Sequence, residues 1–149
     1  ETTVVGADIS ADALEVAKIN VDKHGLQDRI SLVESDSWNG LKGQIFDLVL
    51  CNPPYVNSAS MATLPAEYLA EPTLALAGGT DGMDFIRSLL QAAPAHMSEH
   101  AIIILEIGNE RAFFDAAFPD LEIFWLETSA GADSVLLITK AALEDVFSD

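Results

Sequence analysis

The strongest constraint in this chain is a pair of prolines that directly follows an apolar segment. The apolar run spans residues 45–51, and the tetrapeptide Asn52-Pro53-Pro54-Tyr55 follows it. Neither proline can donate a hydrogen bond to a sheet ladder, so we interpret the run as a buried strand that must end there. Ligands bind at the carboxyl ends of strands in open α/β sheets. The sequence therefore predicts a ligand site at this point.

The tetrapeptide suits the recognition of a planar –NH2 group. Asn52 offers an amide oxygen, Pro53 offers a backbone carbonyl on a rigid turn, and Tyr55 can lie flat over the same group. Two fixed acceptors would stabilise the positive charge that grows on an amide or aryl amine nitrogen during attack, which is oxyanion-hole stabilisation with the sign reversed. The alternative is a proline-rich strand exit with a surface tyrosine, and four residues alone leave both interpretations open.

The charge balance separates classes of function. Seven basic residues stand against 24 acidic residues, and the formal net charge is −17. Such a surface repels the phosphates of nucleic acids and attracts basic proteins. We therefore expect a basic protein partner and no direct contact with nucleic acid.

Length and hydropathy indicate one globular domain. The chain has 149 residues, of which 50% are hydrophobic, and this is enough for a sizeable core. No run has the length of a transmembrane helix and no signal-peptide pattern occurs, so we expect no membrane partner.

The only cysteine, Cys51, excludes an intrachain disulfide and suits a reducing cytoplasm. Its place at the end of a predicted buried strand indicates core packing rather than reactivity. His24, His96 and His100 show no ligand spacing with this cysteine, so we expect no metal site.

The first third of the chain predicts two strands joined by a helix. Residues 2–7 predict a strand ending at Asp8, and Ser10 can cap a helix over residues 11–23. Residues 29–34 predict the next strand. A helix that connects two strands is a crossover, which implies parallel pairing with a right-handed connection.

The remainder predicts helices and strands after one long loop. Residues 56–82 have no long periodic pattern, apart from one or two helical turns within 61–69, and should wall the substrate pocket because long loops in compact domains are usually functional. The later elements, in chain order, are a helix over 82–93 capped by Asp81, a strand over 101–107 buried on both faces, a helix opened by Gly108 and Asn109, antiparallel strands over 121–127 and 134–140, and a short tail over 143–147.

This order of elements resembles the class I methyltransferases, which use S-adenosylmethionine. The resemblance implies an α/β, Rossmann-like sheet, mostly parallel with a C-terminal antiparallel hairpin. Asn-Pro-Pro-Tyr is similar to their amino-methylating motif. The stretches that narrow the resemblance to the protein-glutamine N5-methyltransferases are Val5-Gly6-Ala7-Asp8-Ile9-Ser10, Glu34-Ser35-Asp36, Cys51-Asn52-Pro53-Pro54-Tyr55-Val56, Glu71-Pro72 and Gly78-Gly79-Thr80-Asp81-Gly82.

The C-terminal hairpin bears on the branch of that family. Its strands contain Phe124-Trp125-Leu126-Glu127 and Val135-Leu136-Leu137-Ile138-Thr139. These resemble the branch that methylates a glutamine of large-subunit ribosomal protein L-three more than the release-factor branch. They can equally be strand core that any member shares.

The resemblance implies roles for individual residues. Asp8 matches the acidic residue that binds the ribose hydroxyls of the cofactor, although it can also cap the helix near Ser10, and Ile9 lies beside it. Asp36 and Ser37 match positions next to the adenine ring. Trp38 can supply an aromatic contact there or pack in the core, and both interpretations stay open.

The tetrapeptide receives the catalytic and substrate roles. Asn52, Pro53 and Tyr55 match the residues that hold the substrate amide, Pro54 completes the substrate-binding turn, and Asn52 also lies among the cofactor-binding positions. The implied reaction transfers a methyl group from S-adenosylmethionine to a glutamine side chain of a ribosomal protein.

One departure from the family is large. Class I methyltransferases carry a glycine-rich turn after their first strand, and no such turn precedes Glu1. We therefore expect residues 1–149 to form an incomplete catalytic domain that lacks the first strand, that turn and an N-terminal recognition domain. On its own, such a chain should neither bind S-adenosylmethionine tightly nor catalyse transfer.

Two other functions compete with this one. An amino-methyltransferase acting on a nucleic-acid base would use a similar motif, although the charge of −17 weighs against it. An inactive remnant retained as a binding surface is the third hypothesis.

Overall fold

The computed structural model describes residues 2–58, 76, 78–129 and 131–147. It divides into two compact units, Glu1–Gln44 and Ile45–Asp149. The predicted helical turns within 61–69 and the Glu71-Pro72 pair lie outside the described residues.

The first unit is a strand–helix–strand crossover. Its elements are β1 (Val4–Asp8), α1 (Ala11–Lys23) and β2 (Ile30–Glu34). The strands pair in parallel from Val4 opposite Ile30 to Asp8 opposite Glu34, as predicted. β1 is displaced by two residues at its start and by one at its end from the predicted strand.

Helix α1 begins and packs as its sequence predicts. The Ser10 hydroxyl accepts a hydrogen bond of 3.2 Å from the Ala13 N–H, which confirms the N-cap. Leu14, Ala17 and Val21, which share one face, are half-buried. Amphipathic spacing therefore determines which side of α1 meets the sheet.

The second unit is a four-stranded sheet with helices and a hairpin. Its elements are β3 (Phe46–Cys51), α2 (Asp84–Ala92), a 3₁₀ turn (Ala93–His96), β4 (Met97–Glu106), α3 (Arg111–Ala117), β5 (Phe124–Thr128), β6 (Gly131–Thr139) and α4 (Lys140–Phe147). The strand order is β3-β4-β6-β5. β3 and β4 are parallel, and the two pairs that involve β6 are antiparallel, which confirms the predicted C-terminal hairpin.

The core of this unit lies on one face of its sheet. Ile103, Leu105, Leu136 and Ile138 are fully buried there, and α2 and α4 contribute Ile86, Leu90 and Leu143 at 0% exposure. The predicted apolar stripe of α2 is confirmed, since Leu89 and Ala93 are buried and Phe85 is half-buried. Pro94 ends the α-helix as predicted.

The opposite face is more open than predicted. β3 is not a buried strand, because Leu48 is 49% and Leu50 71% exposed. β4 is fully buried on one face only, since Ile102 and Ile104 on the other are half-buried. Successive side chains of a strand point to opposite faces, and the pairing of Leu48 with Ile102 and of Leu50 with Ile104 places all four on the face opposite to buried Ile103.

Three local predictions are corrected. Asp81 is not the cap of α2, whose N-cap is Met83; the Asp81 carboxylate instead accepts from the Met83 N–H at 3.0 Å. Residues 143–147 are not a tail but belong to α4, because Ala142 and Leu143 bury one side of it. Gly108 and Asn109 form a turn, and α3 begins at Arg111.

Because one face of the sheet is buried and the other is exposed, shortening a side chain should change the free energy of unfolding differently on the two faces. In this 149-residue chain, Ile103→Ala should lower the free energy of unfolding by about 2–5 kcal/mol because it opens a cavity in the core. Leu50→Ala, the matched control on the exposed face of the neighbouring strand, should change it by less than about 0.5 kcal/mol. Urea unfolding of both variants measures the difference. Equal losses would show that the Leu50 face is covered.

Candidate active site

The tetrapeptide leaves β3 at its carboxyl end, as predicted. Asn52 is exposed, Pro53 is buried, and Pro54 and Tyr55 are half-buried. β3 ends at Cys51, because the prolines that follow cannot extend the ladder. The turn therefore presents a polar amide on the surface beside a ring that the protein partly encloses.

A glycine-rich segment, residues 78–82 with Leu76 before it, forms hydrogen bonds with the backbone directly after the prolines. The prolines themselves have no N–H to donate. The Val56 N–H donates to the Leu76 carbonyl and the Gly78 N–H donates to the Val56 carbonyl, each at 2.9 Å. Both the N–H and the hydroxyl of Ser58 donate to the Gly79 carbonyl at 3.0 Å. These bonds hold the exit turn from its C-terminal side.

Glycine is required where this segment meets the tetrapeptide. Gly82 has φ +81°, and a Cβ atom there would lie 2.1 Å from the Tyr55 carbonyl oxygen. A Cβ atom at Gly78 would lie 2.5 Å from the Gly82 carbonyl oxygen. The motif of residues 78–82 therefore allows backbone to pack directly on backbone.

An ion pair links the same segment to helix α2. The Arg87 guanidinium pairs with the carboxylates of Asp81 and Asp84, the latter at 3.2 Å. The hydrogen bond from Arg87 lowers the pKa of Asp81. Asp81 thus fixes the glycine segment to the helix instead of capping it.

Cys51 immediately precedes the tetrapeptide. It is half-buried, and desolvation raises the pKa of its thiol to about 11. A neutral thiol is a poor nucleophile, which agrees with the predicted packing role. In the described part of the chain no three His, Cys, Asp or Glu side chains form a cluster that could hold a metal ion.

The first unit contains the residues predicted for the cofactor. Asp8 ends β1, and one of its carboxylate oxygens accepts from the Ser10 N–H at 2.8 Å. This bond orients the carboxylate at the start of α1, and a carboxylate has further lone pairs for hydroxyl donors. Ile9 beside it is 47% exposed. Asp36 is exposed in the loop after β2, and its carbonyl accepts from the Asn39 N–H at 3.1 Å.

Ser37 has a strained backbone and an unsatisfied hydroxyl. Its φ is +50°, the only positive φ of a non-glycine residue in the described ranges. Its Oγ is buried and has no hydrogen-bond partner among the described residues. Strain and orphaned polar groups concentrate at functional sites. Trp38 is 8% exposed, which favours its packing role.

Ser35 holds Ser37 in this conformation. The Ser35 hydroxyl donates to the Ser37 carbonyl at 2.6 Å and accepts from the Gly40 N–H at 2.8 Å. The Ser35 N–H donates to the Asp8 carbonyl at 2.9 Å, so the loop is tied to the end of β1. Ser35 was not predicted as a site residue, although it lies in the Glu34-Ser35-Asp36 stretch that contributed to the family resemblance.

The structure places the predicted residues in two groups. Asp8, Ile9, Asp36 and Ser37 belong to the first unit, and the tetrapeptide belongs to the second. Within each group the residues lie at strand ends or in the loops that follow, as the sequence predicted.

The state of Ser37 yields a stability prediction. Ser37→Gly should stabilise this chain by about 1 kcal/mol, because relief of φ strain and loss of a buried unpaired hydroxyl outweigh the added backbone entropy of glycine. The matched change Ser35→Ala should destabilise it by about 1–2 kcal/mol, since two hydrogen bonds are lost. Thermal unfolding measures both. A destabilised Ser37→Gly variant would show that the hydroxyl has a partner.

Comparison with solved structures agrees with the fold. A methyltransferase from Pyrococcus furiosus superposes with a TM-score of 0.63 at 17% identity, covering 93% of this chain and 62% of that one. The expected α/β class I methyltransferase sheet is therefore confirmed. Among the described residues no helix has the length and apolar character to cross a membrane.

Sequence relatives confirm the narrower resemblance. A ribosomal protein uL3 glutamine methyltransferase of Bordetella pertussis is 51% identical over 94% of this chain and 47% of its own length. One from Burkholderia pseudomallei is 48% identical over 97% and 49%. The chain spans about half the length of these relatives. The family model described as "Methyltransferase small domain" matches residues 1–80. The chain belongs to the methyltransferase small domain family.

Proposed function

We propose that this chain provides most of the catalytic domain of an S-adenosylmethionine-dependent methyltransferase that modifies a glutamine of a basic ribosomal protein. The observation that carries the proposal is the exit turn at Asn52–Tyr55, where Asn52 stays exposed and the glycine segment holds the backbone directly after the turn, at Val56 and Ser58. The relatives, named for glutamine methylation of ribosomal protein uL3, support the choice of substrate.

The turn suits a carboxamide for a chemical reason. An amide nitrogen is a weak nucleophile because its lone pair is delocalised into the carbonyl. Acceptors at the Asn52 side chain and the Pro53 carbonyl would bind its two N–H groups and favour the charge that develops on nitrogen. The partly enclosed ring of Tyr55 would orient the plane of the amide.

The first unit fits a nucleoside-bearing cofactor. Asp8 offers a carboxylate already oriented by Ser10, Ile9 offers exposed apolar surface, and Asp36 is exposed in the loop beside Ser37. These would hold the ribose hydroxyls and the adenine ring. The cofactor supplies an electrophilic methyl group on a sulfonium centre.

No side chain has to remove the proton before attack. The alkylated nitrogen is strongly acidic, and exposed Asn52 leaves it a route to solvent. Cys51, with its raised pKa, stays neutral near pH 7 and takes no part.

Net charge supports a basic protein partner, and the cysteine content supports a cytoplasmic location. The net charge of −17 favours a basic protein over a nucleic acid. A single, half-buried cysteine fits a cytoplasmic site of action.

The direct test of the proposed function uses a protein as long as the relatives. The part of the Bordetella pertussis protein that lies outside the matched region is fused to residues 1–149, and the fused protein is incubated with labelled S-adenosylmethionine and purified ribosomal protein uL3. Mass spectrometry should find one methyl group on a glutamine side chain. Methylation of RNA instead, or of no substrate, would overturn the proposal. The 149-residue chain alone serves as the control, and calorimetry should find no tight binding of the cofactor to it.

Loss of one acceptor should damage turnover more than cofactor binding. In the fused protein, Asn52→Ala should lower kcat roughly 10²–10³-fold, as for the loss of one transition-state hydrogen bond. Its Kd for S-adenosylmethionine should change far less than kcat does. Asn20→Ala, which removes the same side chain from the exposed helix α1, is the control and should be as fast as the parent. A fast Asn52→Ala variant would remove Asn52 from the mechanism.

Association with the protein substrate should weaken as salt is added. Long-range attraction between an acidic surface and a basic protein is screened within about 10 Å at 0.1 M ionic strength. Stopped-flow association rates with purified uL3 should fall over a salt series. An uncharged glutamine peptide is the control, and its rate should stay flat. An equally flat rate for uL3 would exclude charge steering.

A further inference from the structure

The ring of Tyr55 packs against a second glycine, far from the tetrapeptide in sequence. Gly108 follows β4 and has φ +54°. A Cβ atom there would lie 2.6 Å from Cε2 of Tyr55 and 2.9 Å from both Cζ and Oη. Carbon atoms in contact are normally about 3.5–4.0 Å apart. The ring therefore lies against backbone, at a distance that no other residue type permits.

A hydrogen bond joins the same two segments. The Asn57 side chain is 5% exposed, and its Nδ2 donates to Oε2 of Glu110 at 3.0 Å. A bond to a carboxylate is stronger than one between neutral groups. Asn57 follows Tyr55 by two residues and Glu110 follows Gly108 by two, so the two contacts hold neighbouring points of the same segments together.

The turn that carries Gly108 is itself anchored. Ile107 is fully buried, and its N–H donates to the Ser134 carbonyl at 2.8 Å. The Glu110 N–H donates back to the Ile107 carbonyl at 3.1 Å, which closes the turn. The Glu110 carbonyl then accepts from the Phe114 N–H at 3.0 Å at the start of α3.

Aromatic contacts fix α3 on the hairpin. Phe114 packs against Trp125 with ring centroids 6.4 Å apart, and the Arg111 guanidinium lies 4.4 Å from the centre of the Trp125 ring. The turn is therefore a rigid connection between β4 and a packed helix. A group that rests on it has a defined position.

We infer that the turn Ile107–Glu110 positions Tyr55 for catalysis, with Gly108 supporting the ring and Glu110 holding the chain beyond it through Asn57. The inference rests on the proposed function, in which Tyr55 orients the substrate amide. Gly108 and Glu110 are positioning residues, because they act through Tyr55 and Asn57. Misplacement of a substrate by about 1 Å can lower a rate roughly 10²-fold.

The position of the ring can be measured without any activity. Residue 68 is changed by Tyr68→Phe so that 3-fluorotyrosine labels only Tyr55, and ¹⁹F spectra of the chain are recorded. Gly108→Ala should move or broaden the resonance. Gly25→Ala, where φ is +65° and no atom lies within 4 Å of a Cβ, is the control for backbone strain and should leave the resonance in place. An unchanged resonance in Gly108→Ala would overturn the inference.

The free energy of unfolding distinguishes a clash between residue 108 and the Tyr55 ring from backbone strain at residue 108. Gly108→Ala should destabilise the parent chain more than it destabilises a Tyr55→Ala background, because removing the ring removes the clash. Gly25→Ala should cost the same in both backgrounds. Additive effects of Gly108→Ala and Tyr55→Ala would overturn the inference.

Turnover completes the test in the fused protein. Glu110→Ala should lower kcat roughly 10-fold to 10²-fold with the cofactor Kd unchanged, whereas Glu110→Gln keeps an acceptor for Asn57 and should restore most of the rate. The Glu110 pair keeps the test informative if Gly108→Ala does not fold. Full turnover in Glu110→Ala and Gly108→Ala would overturn the positioning role. A fused protein inactive even as the parent would defeat the proposed function, and the ¹⁹F and stability results would still decide whether the turn places the ring.

Discussion

The close approach of backbone segments around the strand exit is the constraint on which the candidate site depends. Two prolines end β3 and remove the donors that would continue its ladder, so Val56 and Ser58 must find partners elsewhere. They find them in the segment around Gly78, which only glycine allows to come so near. These hydrogen bonds hold the backbone directly after the exit turn against the glycine segment.

In the first unit, the loop after β2 contains a residue with a strained backbone. Ser37 is held at positive φ by the Ser35 hydroxyl, and its own buried hydroxyl has no partner among the described residues. A folded protein tolerates such a residue when the surrounding hydrogen bonds determine its conformation. The loop after β2 thus contains a backbone conformation and a buried hydroxyl that both cost free energy.

The two faces of the four-stranded sheet have different roles in stability. Ile103 and Leu136 on one face are completely buried, so the stability of this unit depends on that layer. Leu48 and Leu50 on the other face stay exposed and contribute little within it. The strand that carries the site, β3, therefore belongs to a sheet that is stabilised by packing on one face.

Sequence alone determined the elements whose signals are local. The helix was predicted over about residues 11–23 and is observed over Ala11–Lys23, because Ser10 caps it and its apolar residues recur at helical spacing. The end of β3 followed from the prolines, and parallel pairing followed from the crossover helix. The methyltransferase resemblance likewise followed from short motifs that lie at strand ends.

Only the tertiary structure decided what depends on partners distant in sequence. Burial of β3 was predicted from composition and was wrong, because the number of buried faces depends on where helices pack and not on the strand itself. Asp81 was expected to cap a helix and instead pairs with Arg87, since a carboxylate has several donors within reach and geometry selects among them. The contact of Gly108 with Tyr55 spans 53 positions and has no local signal. A glycine in the sequence marks only conformational freedom, and the fold determines which ring it must admit.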